Sequence, residues 1–168
     1  YGIPLALLIA TMLFAAVRTG QLRLYVAAGV VAGLLPFANL SALLALALVT
    51  PFLFLLFPAW RWMFFFGLWI AIAVPQLYLQ QGGGAGAASA IRMQMGWVAA
   101  PDNWILFWVK NLGLFIPLLI VAACWKGLIE PAERRVRRAF MPAFVIANVV
   151  VFQPWGWDNT KVFLFWFI

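Results

Sequence analysis

The chain has 168 residues, of which 67% are hydrophobic and 9% are charged, and it contains no histidine. A soluble domain of this size could not cover so many apolar side chains with polar surface, so we predict an integral membrane protein. The lack of histidine excludes imidazole catalysis and the usual zinc sites within this sequence, and a single cysteine excludes an intrachain disulfide. Because the sequence starts at Tyr1 and stops inside an apolar run, we expect it to be a fragment of a longer polytopic protein.

The apolar segments predict an all-α fold. A bilayer core of about 30 Å needs about 20 helical residues. By that measure the clear spans cover residues 3–17, 62–79, 105–125 and 139–152, the last of these with an Arg-rich lead-in. A further span begins near Val162. Residues 24–57 are too long for one span, so we predict a hairpin of one short and one longer helix. Pro36 breaks the first helix, and Asn39 or Ser41 caps the second. The prediction is a transmembrane bundle of about six to seven membrane helices.

Basic residues at the ends of the apolar segments predict the orientation of the chain. The net charge is +7, from 11 basic and 4 acidic residues, and topology explains it without a nucleic-acid partner. Counting the hairpin as two crossings puts most of the basic residues on one side, which is therefore predicted to be cytoplasmic. These residues are Arg18, Arg23, Arg61, Lys126, Arg134, Arg135, Arg137 and Arg138. The basic loop 126–138 is expected to contact anionic membrane lipids. The external loops are then near 36–41, 80–104 and 153–161.

The external segment "QPWGWDNTK" contains the most concentrated group of polar residues. One interpretation is a helix start, with Asp158 as the N-cap or a first-turn acid and Lys161 on the same face. The other is a binding site, in which Lys161 contacts an anion while Asp158 and Asn159 bind hydroxyl groups. Trp155 and Trp157 either belong to the interfacial aromatic belt or stack on a sugar ring or a prenyl chain.

Other polar residues lie in or beside apolar segments. Lys110 and Asn111 lie one to two turns inside an apolar helix, where the lysine either snorkels to the interface or faces a wet cavity. Arg92 is the one arginine predicted to be external, and it either binds phosphate or stays solvated. Asn39 and Ser41 at the hairpin tip either cap a turn or line a substrate pocket. The sequence has no P-loop, no dinucleotide fingerprint, no cysteine metal cluster and no Ser–His–Asp set.

The order "GLLPFANLSALLAL", "FWVKNLGLFIPL" and "FQPWGWDNTK" resembles large bacterial polytopic glycosyltransferases of the GT-C kind, distant relatives of protein O-mannosyltransferases. The resemblance implies a multi-span helical fold in the plasma membrane and a polyprenyl-phosphate-linked sugar as donor. Transfer would occur on the external face. It also implies a catalytic acid in the first external loop, which is expected to precede Tyr1. The tip "FANLS" departs from the family pattern, which often has histidine there, and this puts a metal or acid–base role of the tip in doubt.

The resemblance also implies roles for individual residues. Asp158 is the candidate for the carboxylate that activates the acceptor. Candidates for contact with the lipid phosphate are Lys161, Lys110 and Arg92, and candidates for contact with hydroxyls are Asp158, Asn159 and Asn111. A divalent cation stays open as a cofactor, although the sequence contains no metal motif. Protein partners are unknown.

Two other functions compete with the transferase. A transporter or flippase would line a path through the membrane with Lys110, Asn111 and Asn148. A non-catalytic assembly subunit would use its external loops to bind another protein. Polar residues are gathered at the external ends of the segments, with Asn148 as the exception, which favours a one-sided site.

Overall fold

The computed structural model describes residues 2–80, 91–100, 102–125, 130–153 and 156–167, without the side chains of residues 123, 156–158, 165 and 167. The predicted all-α class is confirmed, since the strands found in these ranges have only two residues each. The first half contains α1 (Gly2–Thr19), α2 (Leu22–Gly33), α3 (Leu35–Ala38), α4 (Leu40–Leu56) and α5 (Trp62–Gln80). The second half contains β1 (Arg92–Met93), α6 (Trp104–Leu112), α7 (Phe115–Cys124), α8 (Pro131–Val149), β2 (Val150–Val151) and α9 (Gly156–Phe167).

The predicted break after the first short helix of the hairpin is confirmed. The single-turn helix α3 contains Pro36, and the chain then becomes extended at Asn39. The Asn39 side-chain oxygen accepts a hydrogen bond from the Ala42 N–H over 2.8 Å, so Asn39 is the N-cap of α4. Of the two predicted caps, Asn39 is therefore the one used, and Ser41 lies buried inside α4.

Helix α2 packs chiefly against α5, and two glycines allow the close approach. A Cβ atom added to Gly29 would lie 2.7 Å from the Phe65 carbonyl oxygen, and one added to Gly33 would lie 2.6 Å from the Ile72 Cβ. Both distances are too short for a real side chain, so only glycine at these two positions lets α2 approach α5 this closely. The aromatic core beside this contact includes Trp62, which is 1% exposed.

The predicted span over 105–125 is not one straight helix, because two helices form it. α6 and α7 meet at an angle of 83°. Gly113 lies at the bend with φ 47° and ψ −122°, a backbone conformation that strongly favours glycine. α6 packs into a second apolar cluster through Trp108, with Phe163 of α9 as a neighbour.

Two helices, α1 and α5, are long and apolar enough to cross a membrane. The number of spans rises to three if the bent α6–α7 pair is one span. This is fewer than the six to seven predicted. The short apolar segments 22–38 and 40–56 fall below that length. α8 begins at Pro131, so it includes the Arg-rich lead-in predicted before the span at 139–152, and it is not among the helices apolar enough to cross a membrane. The last helix begins at Gly156, as the interpretation of residues 153–161 as a helix start predicts, and it continues through the predicted span start near Val162.

Candidate functional site

The structure brings together three segments that the sequence analysis assigned to the external face. The Gln153 side-chain amide donates a hydrogen bond to the Ser41 hydroxyl over 3.4 Å, which joins the hairpin tip to the segment before α9. β1 pairs with β2 in antiparallel register, with Arg92 opposite Val151. We name this end of the bundle, defined by Ser41, Arg92 and Gln153, the polar end.

The segment from β1 to Trp97 caps the C-terminus of α8. The last four carbonyls of an α-helix have no partner inside the helix. In α8 the Ile146 carbonyl accepts from the N–H of the C-cap residue Val150. The other three accept from the loop: Ala147 from the Trp97 indole N–H over 2.8 Å, Asn148 from the Gly96 N–H over 2.9 Å, and Val149 from the Gln94 N–H over 2.8 Å. The loop is therefore fixed to the end of α8 by bonds that leave none of these four carbonyls unpaired.

Asn159 holds the turn that precedes α9. Its side chain is 1% exposed. The side-chain oxygen accepts from the Phe152 N–H over 2.6 Å and from the Gln153 N–H over 3.0 Å, and the side-chain amide donates to the Gln153 carbonyl over 2.9 Å. Only an amide side chain of this length offers an acceptor and a donor at once, so the residue suits this turn chemically. Asn159 therefore has a structural role that its interpretation as a ligand-binding residue did not include.

The start of α9 determines where the neighbouring candidates lie in the helix. Because α9 begins at Gly156, Asp158 lies in the first turn of the helix and Lys161 about one turn further on. Lys161 is partly buried. The side chains of Asp158 and Trp157, and the whole of Trp155, lie outside the described residues. The catalytic and binding roles assigned to this group remain predictions.

Asn148 accepts two indole hydrogen bonds near the C-terminus of α8. Its side chain is 2% exposed, and its oxygen accepts from the Trp104 and Trp108 indole N–H groups, each over 2.8 Å. Its amide donates to the Phe144 carbonyl over 2.9 Å. From the sequence alone, Asn148 is predicted only as part of a transport path. The four-residue spacing of Trp104 and Trp108, which puts both indoles on one face of α6, is the signal that points to this contact.

The remaining candidates lie on the surface. Arg92, Lys110 and Asn111 are all exposed. The Asn111 amide donates to the Phe107 carbonyl of its own helix over 2.8 Å, and Asn103 caps the start of α6 by accepting from the Leu106 N–H over 3.1 Å. Within the described ranges, no hydrogen bond or ion pair joins Arg92 or Lys110 to another side chain.

The described residues contain no group of three or more His, Cys, Asp or Glu side chains that could hold a metal ion. No family model, curated protein or solved structure matches this chain significantly. The likeness to GT-C glycosyltransferases therefore stays a prediction that depends on the sequence patterns.

The opposite end of the bundle is basic. Arg18, in the last turn of α1, forms an ion pair with Glu130 over 3.2 Å. Arg61 lies beside the turn at Gly20, where a Cβ atom would be 3.5 Å from the guanidinium. The loop before α5 and the start of α8 therefore lie at the end of α1. We name this the arginine end.

Proposed function

We propose that this chain is part of a multi-pass protein of the bacterial plasma membrane that transfers a sugar from a polyprenyl-phosphate donor on the extracytoplasmic face, as GT-C glycosyltransferases do. The observation that supports the proposal best is the meeting of the hairpin tip, the strand pair and the segment before α9 at the polar end. A transferase for a membrane-bound donor needs polar groups from distant parts of the chain at one membrane surface. The polar end contains polar side chains from three separate segments, namely Ser41, Arg92 and Gln153.

The proposed chemistry uses cations for the donor and a carboxylate for the acceptor. Arg92, exposed on β1, and Lys161, partly buried on α9, would bind the lipid phosphate. Asp158 would take the proton of the acceptor hydroxyl as its oxygen attacks the anomeric carbon. The bond from that carbon to the phosphate oxygen breaks, and the polyprenyl phosphate leaves with the electron pair. Lys110 and Asn111 on α6 extend the set of candidates.

The multi-pass arrangement is part of the proposal. It requires the short apolar helices and parts of α8 and α9 to enter the membrane beside α1 and α5, which would bring the count toward six to seven. The exposed apolar side chains of α7 support it, since Leu118 is 64% exposed and Ile120 is 56% exposed. Side chains of this kind are typical of surfaces in contact with lipid.

The contacts of Asn148 argue against the transporter alternative. A transport path needs polar groups that are free to exchange partners with a moving substrate. The Asn148 oxygen already accepts two indole hydrogen bonds, and its amide donates to a helix carbonyl. The residue that seemed to extend polar character into the membrane is therefore used in holding α6 to α8.

The experiment measures transfer of radiolabel from a panel of polyprenyl-phosphate sugars by the natural full-length protein in membranes. The variants are Asp158→Asn and Lys161→Ala, with Leu164→Ala as the control. Leu164 lies on the same helix and is 43% exposed, so its truncation changes neither charge nor a buried contact. Asn159→Ala is unsuitable as a functional variant, because it removes the turn that precedes α9.

We expect the wild type and Leu164→Ala to consume at least one donor. Asp158→Asn should lose at least about 100-fold in rate, as expected for a general base. Lys161→Ala should lose at least about tenfold, at matched expression and melting temperature. If no donor is consumed by folded protein, the transferase proposal is wrong. If the donor is consumed equally by all variants, the protein is a transferase but its site does not include these residues.

A further inference from the structure

The N-terminal part of α8 contains an arginine cleft that the proposed function does not use. Pro131, Arg134, Arg135 and Arg138 line a cleft of about 290 Å³ on one face of the helix. This volume is close to the lower end of the range for small-molecule sites. Three guanidinium groups in one cleft form a strongly cationic surface, with planar donors that match the oxygens of a phosphate group.

The acids of this region do not neutralise the cleft. Glu130 pairs with Arg18 over 3.2 Å, and Glu133 pairs with Arg137 over 2.7 Å. Arg137 lies next to the cleft in sequence but is not among its lining residues. Arg135 and Arg138 are exposed and pair with no acid in the part of the chain that the structure describes. The cleft therefore keeps a net positive charge that favours an anionic ligand.

The ion pair between Glu130 and Arg18 sets the height of the cleft relative to α1. α1 has 18 residues and is long and apolar enough to cross a membrane, and Arg18 lies in its last turn. Glu130 directly precedes Pro131, so the cleft lies at the level where α1 would leave the hydrocarbon. Trp60 supports the same level, because it is 60% exposed and lies under the Arg61 guanidinium at 5.5 Å. Exposed tryptophans and arginines of this kind collect at the membrane–water interface, where lipid phosphates are found.

We propose that the cleft formed by Arg134, Arg135 and Arg138 binds the phosphate of an anionic phospholipid headgroup. The lipid lies beside α1 and α8, and its phosphate accepts hydrogen bonds from the guanidinium groups. The attraction of such a surface to an anionic membrane amounts to about fivefold in affinity for each arginine. The site is independent of the sugar-transfer proposal, since it lies at the opposite end of the bundle.

The experiment titrates phosphatidylglycerol into the detergent-solubilised full-length protein and follows bound lipid by native mass spectrometry. The test variant is Arg135→Gln combined with Arg138→Gln. The control is Arg23→Gln, which removes an exposed arginine at the start of α2 that does not line the cleft. Phosphatidylcholine and glycerol 3-phosphate are titrated in parallel to compare a zwitterionic lipid and a soluble phosphate. The melting temperature of each variant without lipid checks that it is folded.

We expect the double variant to bind phosphatidylglycerol about 25-fold more weakly than the wild type, from about fivefold for each arginine. Arg23→Gln should stay within about twofold of the wild type, and phosphatidylcholine should bind more weakly than phosphatidylglycerol. Equal binding by the wild type and the double variant would overturn the proposal. So would an equal loss in Arg23→Gln, which would mean a general effect of charge. Glycerol 3-phosphate binding as tightly as the lipid would make the ligand a soluble anion and would also overturn it.

Discussion

The Gln153 side-chain amide donates a hydrogen bond to the Ser41 hydroxyl over 3.4 Å, although 112 residues separate them in the sequence. The bond is long, so its own contribution to stability is small. The contact is informative about geometry, because it shows that the tip of the α2–α4 hairpin lies against the segment before α9. The composition of the polar end depends on this contact.

We expect cysteines introduced at these two positions to be cross-linked. In a Cys124→Ser background, Ser41→Cys combined with Gln153→Cys should react with a short bifunctional thiol reagent and give a faster-migrating product on a denaturing gel. Arg18→Cys combined with Gln153→Cys is the control, since Arg18 lies at the arginine end. Cross-linking of the control pair alone would contradict the described arrangement of the two ends.

Substitutions of Gly33 and Gly67 by alanine should have opposite effects on stability. Gly33 faces Ile72 with no room for a Cβ atom, so Gly33→Ala should lower the free energy of unfolding by about 1–3 kcal/mol. Gly67, inside α5, has no atom within 4 Å of an added Cβ, so Gly67→Ala should raise it by about 0.5–1 kcal/mol through helix propensity. Thermal unfolding in detergent measures both. A rise in the free energy of unfolding for both variants would show that the α2–α5 contact is not tight.

Removal of the Asn159 side chain should destabilise the turn before α9. Asn159→Ala leaves the Phe152 and Gln153 N–H groups without their acceptor, at a cost of about 1–3 kcal/mol for a buried donor. Hydrogen exchange at these two amides should accelerate in the variant. Leu164→Ala, which truncates an exposed side chain on the same helix, should leave their exchange rates unchanged.

Trp104 and Trp108 should show coupled effects on stability. Both indoles donate to the same Asn148 oxygen, so Trp104→Phe or Trp108→Phe alone leaves one donor in place. The double variant leaves the buried oxygen without a donor. Its loss in free energy of unfolding should therefore exceed the sum of the single losses by about 1 kcal/mol. Losses that add within about 0.5 kcal/mol would mean that the two hydrogen bonds act independently.

Local chemistry made part of the fold predictable. The hairpin break follows from Pro36, which disfavours a continued helix, and from Asn39, whose short polar side chain reaches the N–H of Ala42. Both effects act within a few residues, so a single sequence is sufficient to predict them. The close packing of α2 on α5 could also have been predicted, because Gly29 and Gly33 have the four-residue spacing of small residues at helix contacts. This signal was missed.

The bend between α6 and α7 could not be predicted in the same way. The hydropathy of the segment is that of one continuous span, and an isolated glycine is tolerated within helices. What ends α6 is the positive φ of Gly113, together with the separate packing of α6 against α8 and α9. Those contacts depend on residues far along the chain. A hydropathy pattern contains no information about them.

The candidate site was only partly predictable for a related reason. A polar residue in an apolar chain signals a partner without saying whether that partner is a ligand or the protein itself. For Asn148 and Asn159 the structure supplies protein partners, namely two indoles and the backbone of the preceding turn. The partners of Asn148 lie 44 and 40 residues away, so only the folded chain identifies them.

The contact between α6 and Asn148 also has a consequence for biosynthesis. α2 packs against both α1 and α5, so these three helices can assemble once Gln80 has been translated. α6 depends on an acceptor that lies 40 residues after Trp108. At about 5–20 residues per second, the ribosome needs about 2–8 s to reach it. For that interval the nascent α6 has no anchor at the end of α8, and an insertase or a chaperone has access to its aromatic face.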